Sequence, residues 1–271
     1  QVRVQICQRS FLSWRGQRRE GLSMRCTLLA LGLVPLLISG CACDRKSKAP
    51  QDPALLRAAS PEVPAGHVAI DGSVTKVRWD DGDTFSWKGA DGKKVRARLS
   101  QFNTLESYGP VHRWGEWTPE ELLEVANLAT KVASERGWKC DRTGRGGGYG
   151  RVGVRCHELA LHLIGEGLAH AFAVKGSVDG ALLEAQAAAQ KARRGMWAKG
   201  VPKGLVTSLH SADEGRDTTY DRVADTATGE ATPQDHDLVY KQCQEVCRDG
   251  SCMRYIPYPR RYGKDRLICP N

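Results

Sequence analysis

The chain has 271 residues, 26% charged and 41% hydrophobic, with a net charge of +9. That length accommodates one or two domains, and the composition supports a packed core and excludes wholesale disorder. Residues 1–23 carry five arginines against Glu20, and Arg25 adds one more, so only +4 of the +9 lies beyond Gly40. A polybasic, histone-like binder is excluded, and nucleic acid is a permitted partner without being a required one.

From Met24 the chain reads as an export signal: Arg25, an apolar run from Leu28 to Ile38, then Ser39-Gly40-Cys41. The run is too short to span a bilayer and ends in small residues, as a cleaved signal peptide does. A short buried helix is the bland alternative. Residues 1–23 read as an upstream over-extension of the start, and 24–40 as the signal peptide. Ile38-Ser39-Gly40-Cys41 resembles a bacterial lipobox. That resemblance implies a lipidated Cys41 as first mature residue and a membrane tether in the bacterial cell envelope. Ala42 in the next position implies the outer membrane if the host is Gram-negative.

Ten cysteines are present; Cys7 and Cys26 precede cleavage and Cys41 carries lipid, which leaves seven. In an oxidising compartment these favour disulfides over thiolate metal sites. Seven is odd, and Cys43, beside the anchor, is the one left over. Residues 41–66, rich in Lys, Ala and Pro, read as a tether. Residues 67–205 form a dense segment of single-domain size. The polar stretch 206–238 reads as a linker, and 239–271 as a Cys-rich tail. Within the tail, Cys243, Cys247, Cys252 and Cys269 suit two disulfides better than a zinc knuckle, because paired CxxC spacing is missing. All three pairings stay open.

The dense segment begins as β structure. Val74, Val77 and Phe85 flank the turn Asp80-Asp81-Gly82-Asp83, and Asp91-Gly92 is a hairpin signal. Beyond it, Val95, Ala97 and Leu99 alternate with Arg96 and Arg98, so one face is apolar and the other carries guanidiniums. Thr118-Pro119-Glu120-Glu121 offers an N-cap, a first-turn proline and a capping-box acid. A helix follows with Leu122, Val125, Ala129 and Val132 inward and Gly137 as its stop. Two antiparallel strands then flank the glycine-rich loop Thr143–Gly150. Cys140 and Cys156 lie where those strands enter and leave the loop, so a disulfide is expected between them. Helices over 158–167 and 180–194 complete an α+β arrangement.

Four clusters carry chemistry: Asp81-Gly82-Asp83-Thr84; Arg98 with Asn103-Thr104-Leu105-Glu106; Tyr149-Gly150-Arg151; and Gly195-Met196-Trp197. Singly, each has a bland reading, such as a tight turn, a solvated strand face or a long hairpin. The glycine-rich loop is no Walker loop, since no Gly-Lys-Ser/Thr follows. As a set they suit phosphodiester hydrolysis. Attack on an anionic phosphate builds charge on its equatorial oxygens, so a site needs cations there and a base that orients water. Arg98 and Arg151 can donate forked hydrogen bonds to phosphate. Asp83, Asn103 and the Thr104 carbonyl are hard oxygen donors that suit calcium rather than zinc. Glu106 is placed to position or deprotonate water.

In this order and spacing, from about Val74 to Trp197, these motifs resemble the staphylococcal-nuclease (thermonuclease) family. The resemblance implies a five-stranded OB-type β-barrel with three packed helices, here followed by the short Cys-rich tail. It implies one calcium ion at Asp83 and Asn103, with Asp81 as an outer acidic residue near the metal. It also implies Glu106 as general base and Arg98 and Arg151 as the phosphate-binding pair. DNA or RNA would be the substrate, cut with low sequence specificity to leave 3′-phosphates, by a monomer.

Three positions depart from the family. Asn103 replaces an aspartate and should weaken the ion's hold. Leu105 replaces a proline and should loosen the loop. The nucleotide-stacking aromatic has no match, with Ala173 near its place and Phe172 adjacent. His112 is read either as a backbone-bonded loop histidine or as an acid or extra ligand. The rival from another class is a catalytically silent nuclease-fold module that binds nucleic acid or a protein partner. A third reading makes the tail's Tyr255, Tyr258, Arg260, Arg261 and Tyr262 the working surface for glycan or nucleic acid.

Overall fold

The computed structural model describes residues 63–144, 150–215 and 219–270. The export segment, Cys41, Cys43, most of the tether and Tyr149 lie outside the described residues. His67–Ile70 (β1) and Ser73–Lys76 (β2) form a hairpin, and Asp71 and Gly72 between them both take positive φ, 49° and 84°. This is the left-handed geometry of a two-residue turn. Arg78–Asp81 (β3) follows one residue later. Thr84–Lys88 (β4) and Lys94–Leu99 (β5) pair antiparallel around Gly92, where φ is 76°. Along β5, Ala97 and Leu99 are buried while Lys94 and Arg96 are exposed, as the alternation requires.

At Gln101, φ of 76° turns the chain into Gln101–Thr104 (β6). His112–Arg113 (β7) and Pro119–Ser134 (α1) come next. Thr118 caps α1 with a full capping box to Glu121, but the buried residues are Leu122, Ala126, Ala129 and Ala133. Val125 and Val132 pack against the core at its margin, so the inward face is the expected one widened by Ala126 and Ala133. Gly137 has a different role from a helix stop: a Cβ there would lie 1.9 Å from the Val63 carbonyl oxygen, so only glycine admits the Val63–Pro64 backbone so close. Trp138–Arg142 (β8), Val152–Arg155 (β9), His157–Gly165 (α2), Ala169–Phe172 (β10) and Gly180–Lys191 (α3) complete this part.

Seven strands form the main sheet, in the order β2-β1-β8-β9-β5-β4-β3, with β6 and β10 as a separate ladder. This corrects the expected five strands. The two edge strands, β2 and β3, are neighbours in sequence, separated by Val77 alone. One extended stretch therefore serves both edges and brings the sheet nearly to closure, as in an OB-type barrel. Phe85, Phe102, Trp138, Leu159, Leu163 and Ile164 fill its interior. Each such side chain contributes roughly 1.5–3 kcal/mol by burial.

β8 and β9 are antiparallel, and Cys140 is bonded to Cys156 with the Cα atoms 4.2 Å apart. Replacing both cysteines with serine should lower the unfolding free energy by about 3 kcal/mol for a loop of this length. Denaturant melts of the double variant against the parent measure it, and equal midpoints would contradict a stabilising bridge.

The expected linker over 206–238 is instead folded. Gly204–Ser208 (β11), Tyr220–Asp225 (β12) and Ala231–Asp235 (β13) make an antiparallel sheet. Its buried residues mix Val206 and Val223 with Asp221, Ala224 and Ala231, which weakened the apolar pattern. Asp221 is fully buried and takes hydrogen bonds from Tyr240 Oη (2.8 Å) and an ion pair from Arg248 (2.8 Å), with His236 Nε2 at 3.1 Å. A buried carboxylate is tolerated only with such partners. The tail folds too. Glu245–Arg248 (β14) and Ser251–Arg254 (β15) form a hairpin, and β15 continues onto β7, pairing Met253 with His112. The disulfides are Cys243–Cys269 and Cys247–Cys252. Among the described residues, no helix is long and apolar enough to cross a membrane.

Candidate active site

The turn from β3 to β4 starts the site. A Cβ on Gly82 would stand 2.6 Å from Thr104 Cγ2 and 3.0 Å from Ala129 Cβ, so glycine lets this turn press against β6 and α1. Asp83, 2% exposed, is thereby delivered beside β5 and β6. Its Oδ1 accepts from Thr84 Oγ1 (2.9 Å) and from Arg98 Nη1, and its Oδ2 accepts from the Thr104 amide (3.0 Å). Asp81 Oδ1 accepts from the Asp83 amide at 3.1 Å. Arg98 Nη2 donates to Asn103 Oδ1, and Asn103 Nδ2 donates to the Thr104 carbonyl at 3.0 Å. Arg98 thus bridges Asp83 and Asn103.

The electrostatics are those of a crowded acidic cluster. Burial pushes Asp81 well above the ordinary carboxylate range; Asp83 and Glu106 add to this and Arg98 opposes it. Burial also raises Glu106, against the pull of Arg261, Arg98 and Arg151. For Arg98, burial lowers the pKa, but Asp83, Asp81 and Glu106 more than reverse it. Arg151, on the turn into β9, is lowered by burial and then by Arg98, with Asp83 and Asp81 acting the other way. A guanidinium remains protonated throughout. Asp81, Asp83, Arg98, Asn103, Thr104, Glu106 and Arg151 are therefore brought into one electrostatic neighbourhood. Cys140 and Cys156 staple the strands leading to Arg151, whereas Cys41 lies outside the described residues.

Hard oxygen donors, a local excess of carboxylate and an Asp81 whose charge is disfavoured by burial and then by Asp83 all suit a divalent cation such as calcium. Among the described residues, the acids of the site do not form a trio of donors within 4.8 Å of one another; the group of three His, Cys, Asp or Glu donors that does is Glu245, Cys247 and Cys252. There, the sulfurs are joined in a disulfide and Glu245 pairs with Arg113. This removes the zinc-knuckle alternative for the tail.

Other residues depart from expectation. Leu105, which stands where a proline was expected, is 3% exposed and packs with Trp114, Leu122 and Trp197, apolar contacts that anchor its loop. Ala173 is buried and paired with the β12–β13 turn, its amide donating to the Gly229 carbonyl at 2.8 Å, so no stacking platform exists at that position. His112 Nε2 accepts the Glu106 amide at 3.1 Å, fixing the backbone of the acid rather than serving as a ligand.

Burial, with His170 nearby, lowers His112 to about 3, and burial lowers His170 to about 4. Both are neutral at pH 7. Because the unfolded chain protonates near 6.5, the folded state loses stability as pH falls from 6.5 toward those values. Each histidine contributes up to about 1.4 kcal/mol per pH unit. Asp81 and Glu106, raised, act in the opposite sense, so the comparison is with a variant. Relative to His112→Gln, the parent should lose stability on acidification from pH 6.5 to 4. Denaturant unfolding across that range reads the difference, and parallel pH curves would refute it.

Sequence reasoning set Arg261 and Tyr262 on a separate tail surface and gave Tyr108 no role, so it missed that all three gather around Glu106. Arg261 acts on Glu106 more strongly than any other charge. Tyr108 is 2% exposed with no hydrogen-bond partner for its hydroxyl among the described residues. Tyr262 lies against it, ring centroids 5.7 Å apart. Tyr108 lies two residues beyond Glu106, a spacing that could have marked it. Arg261 and Tyr262 reach the site only through the fold.

A search among curated proteins found no match. Residues 96–199 match the family described as staphylococcal nuclease homologues. The match holds Arg98, Asn103, Thr104, Glu106 and Arg151, while Asp81 and Asp83 precede it and the disulfide-bonded tail follows it. With the nearly closed barrel, its three helices and this cluster already in place, the match over residues 96–199 supports a thermonuclease-like domain in this chain.

Proposed function

We propose that this protein is a calcium-dependent nuclease that hydrolyses DNA or RNA phosphodiester bonds with low sequence specificity. The observation that carries the reading is the grouping of Glu106 with Arg98 and Arg151 beside Asp81 and Asp83. Arg98 and Arg151 hold the scissile phosphate and meet the charge that builds on its oxygens. Glu106 accepts the proton of the attacking water, and His112 keeps the Glu106 backbone in place. Asp83, Asn103 and the Thr104 carbonyl would hold the ion, with Asp81 outside them. When bound, the ion supplies Lewis-acid neutralisation of phosphate charge. Breakage on the 5′-oxygen side leaves a 3′-phosphate. Specificity is low because the contacts are to phosphate rather than to base edges.

We also propose export and lipid attachment at Cys41, in the bacterial cell envelope, with the domain acting as a monomer. Cys41→Ser should leave the precursor unprocessed.

One observation favours the rival, a silent module binding nucleic acid or a protein partner: Arg98 already bridges Asp83 and Asn103, two of the residues that would hold the ion. The deciding experiment incubates the protein with plasmid DNA and with RNA, in calcium or in chelator. Calcium-dependent cleavage is expected, and Asn103→Asp should lower the calcium requirement, since affinity tracks ligand charge. Binding without cutting under calcium, magnesium and manganese would establish the silent module instead.

A further inference from the structure

The C-terminal tail lies outside the family match, yet it is built onto the loop that carries Glu106. β15 pairs with His112, the residue that accepts the Glu106 amide, and the Arg254 amide donates to the Val111 carbonyl at 2.8 Å. Tyr108 and Val111 from that loop share one apolar cluster with Val246, Met253, Tyr255 and Ile256 of the tail. The Cys243–Cys269 bridge then ties down the far end of the tail.

This anchorage sets a row of aromatic and cationic groups beside the acids. Arg261 is fixed by its Nε donating to the Ile256 carbonyl (2.9 Å) and Nη2 to the Leu209 carbonyl (3.2 Å). Its guanidinium carbon stands 5.3 Å from the Tyr108 ring centre and 5.8 Å from that of Tyr258. Tyr262, 55% exposed, meets Tyr108 edge-on. Tyr108 itself brings a buried hydroxyl that lacks a partner among the described residues, a cost that a ligand could offset. The Tyr262 hydroxyl is pushed up by burial and then by Glu106 and Asp81, which places it in the field of the same acids.

We infer that the tail completes the nucleic-acid site: Tyr262 is a platform on which one base of a single strand stacks, with Arg261 beside it. An exposed tyrosine face accepts any base, and an adjacent fixed guanidinium suits the phosphate that accompanies it. A base in a duplex is already stacked on both faces and gains nothing from such a ring. The inference rests on the nuclease reading for its substrate class, but its test does not need cleavage.

The experiment measures binding of a fluorescein-labelled single-stranded oligonucleotide and of a labelled blunt duplex by anisotropy, in calcium and in chelator. The full protein is compared with Tyr262→Ala and Tyr262→Trp. Tyr262→Ala should weaken single-strand binding by about 5- to 150-fold, the range for losing one stacked base. Tyr262→Trp should retain it, and the duplex should change by less than about twofold. Because Tyr262 lies at the surface, the variants should keep the parent's disulfides and circular dichroism. Single-strand affinity unchanged in Tyr262→Ala, equal losses for strand and duplex, or no single-strand binding by the parent would each overturn the inference. If the parent binds, Tyr262→Ala does not, and neither cuts, the subsite stands and the hydrolase reading fails.

Discussion

Arg151→Ala should lower turnover on DNA or RNA by two to three orders of magnitude, the scale of losing one preorganised donor to developing charge. Arg151 stands on the turn into β9, braced by the Cys140–Cys156 bridge, and its guanidinium lies in the field of Arg98, Asp83 and Asp81. Burial and then the Arg98 charge disfavour the Arg151 guanidinium until an anion arrives beside it, whereas Arg98 is already held charged by Asp83, Asp81 and Glu106. A phosphate gaining charge in the transition state relieves that penalty most. The loss should therefore fall mainly on kcat, with a smaller loss of affinity. Arg151→Lys should recover only part of it, because a point charge cannot make the forked contact. Steady-state kinetics on a defined oligonucleotide check this, and a variant within threefold of the parent would remove Arg151 from the site.

Glu106→Gln should cut turnover by roughly two to four orders of magnitude while nucleic-acid binding stays close to the parent's. Glutamine keeps the shape of the side chain and leaves the backbone amide that donates to His112 unchanged. It removes only the ability to take a proton from water. Binding should even tighten slightly, since one negative charge beside the phosphate site is gone. Kinetics paired with binding in chelator separate the two effects. Equal activity in Glu106→Gln and parent would show that Glu106 is not the base. Affinity of both proteins should fall with salt, as phosphate contacts displace counterions.

Much of the fold was legible because local signals agreed. The capping box at Thr118–Glu121, the Asp91-Gly92 turn and the alternation along β5 are short-range, and each reappears at its place. The barrel's strand count was not legible. It depends on a single extended stretch, 73–81, contributing to both sheet edges, and nothing within those residues says where they pair. The folding of 206–238 was hidden for a related reason. Its inward side chains include Asp221, Ala224 and Ala231, so apolar periodicity is weak, and Asp221 becomes acceptable in a core only with Tyr240 and Arg248 supplied from farther along the chain.

The candidate site divides in the same way. Sequence alone determined the residue types and order of Asp81, Asp83, Arg98, Asn103, Glu106 and Arg151, because the chemistry of a phosphodiester restricts which side chains can serve and the short spacings keep most of them on neighbouring strands. It also determined that Cys140 and Cys156 could meet across a hairpin. Only the tertiary structure decided that Arg98 bridges Asp83 and Asn103, that His112 serves the Glu106 amide, and which tail cysteines are joined. It alone brought Arg261 and Tyr262 to an acid more than 150 positions earlier in the chain. The reason is that electrostatic and stacking contacts depend on distance in space, and a disulfide-anchored tail reaches its position through the β7–β15 pairing and a shared apolar core, neither of which leaves a local pattern in the residues it brings together.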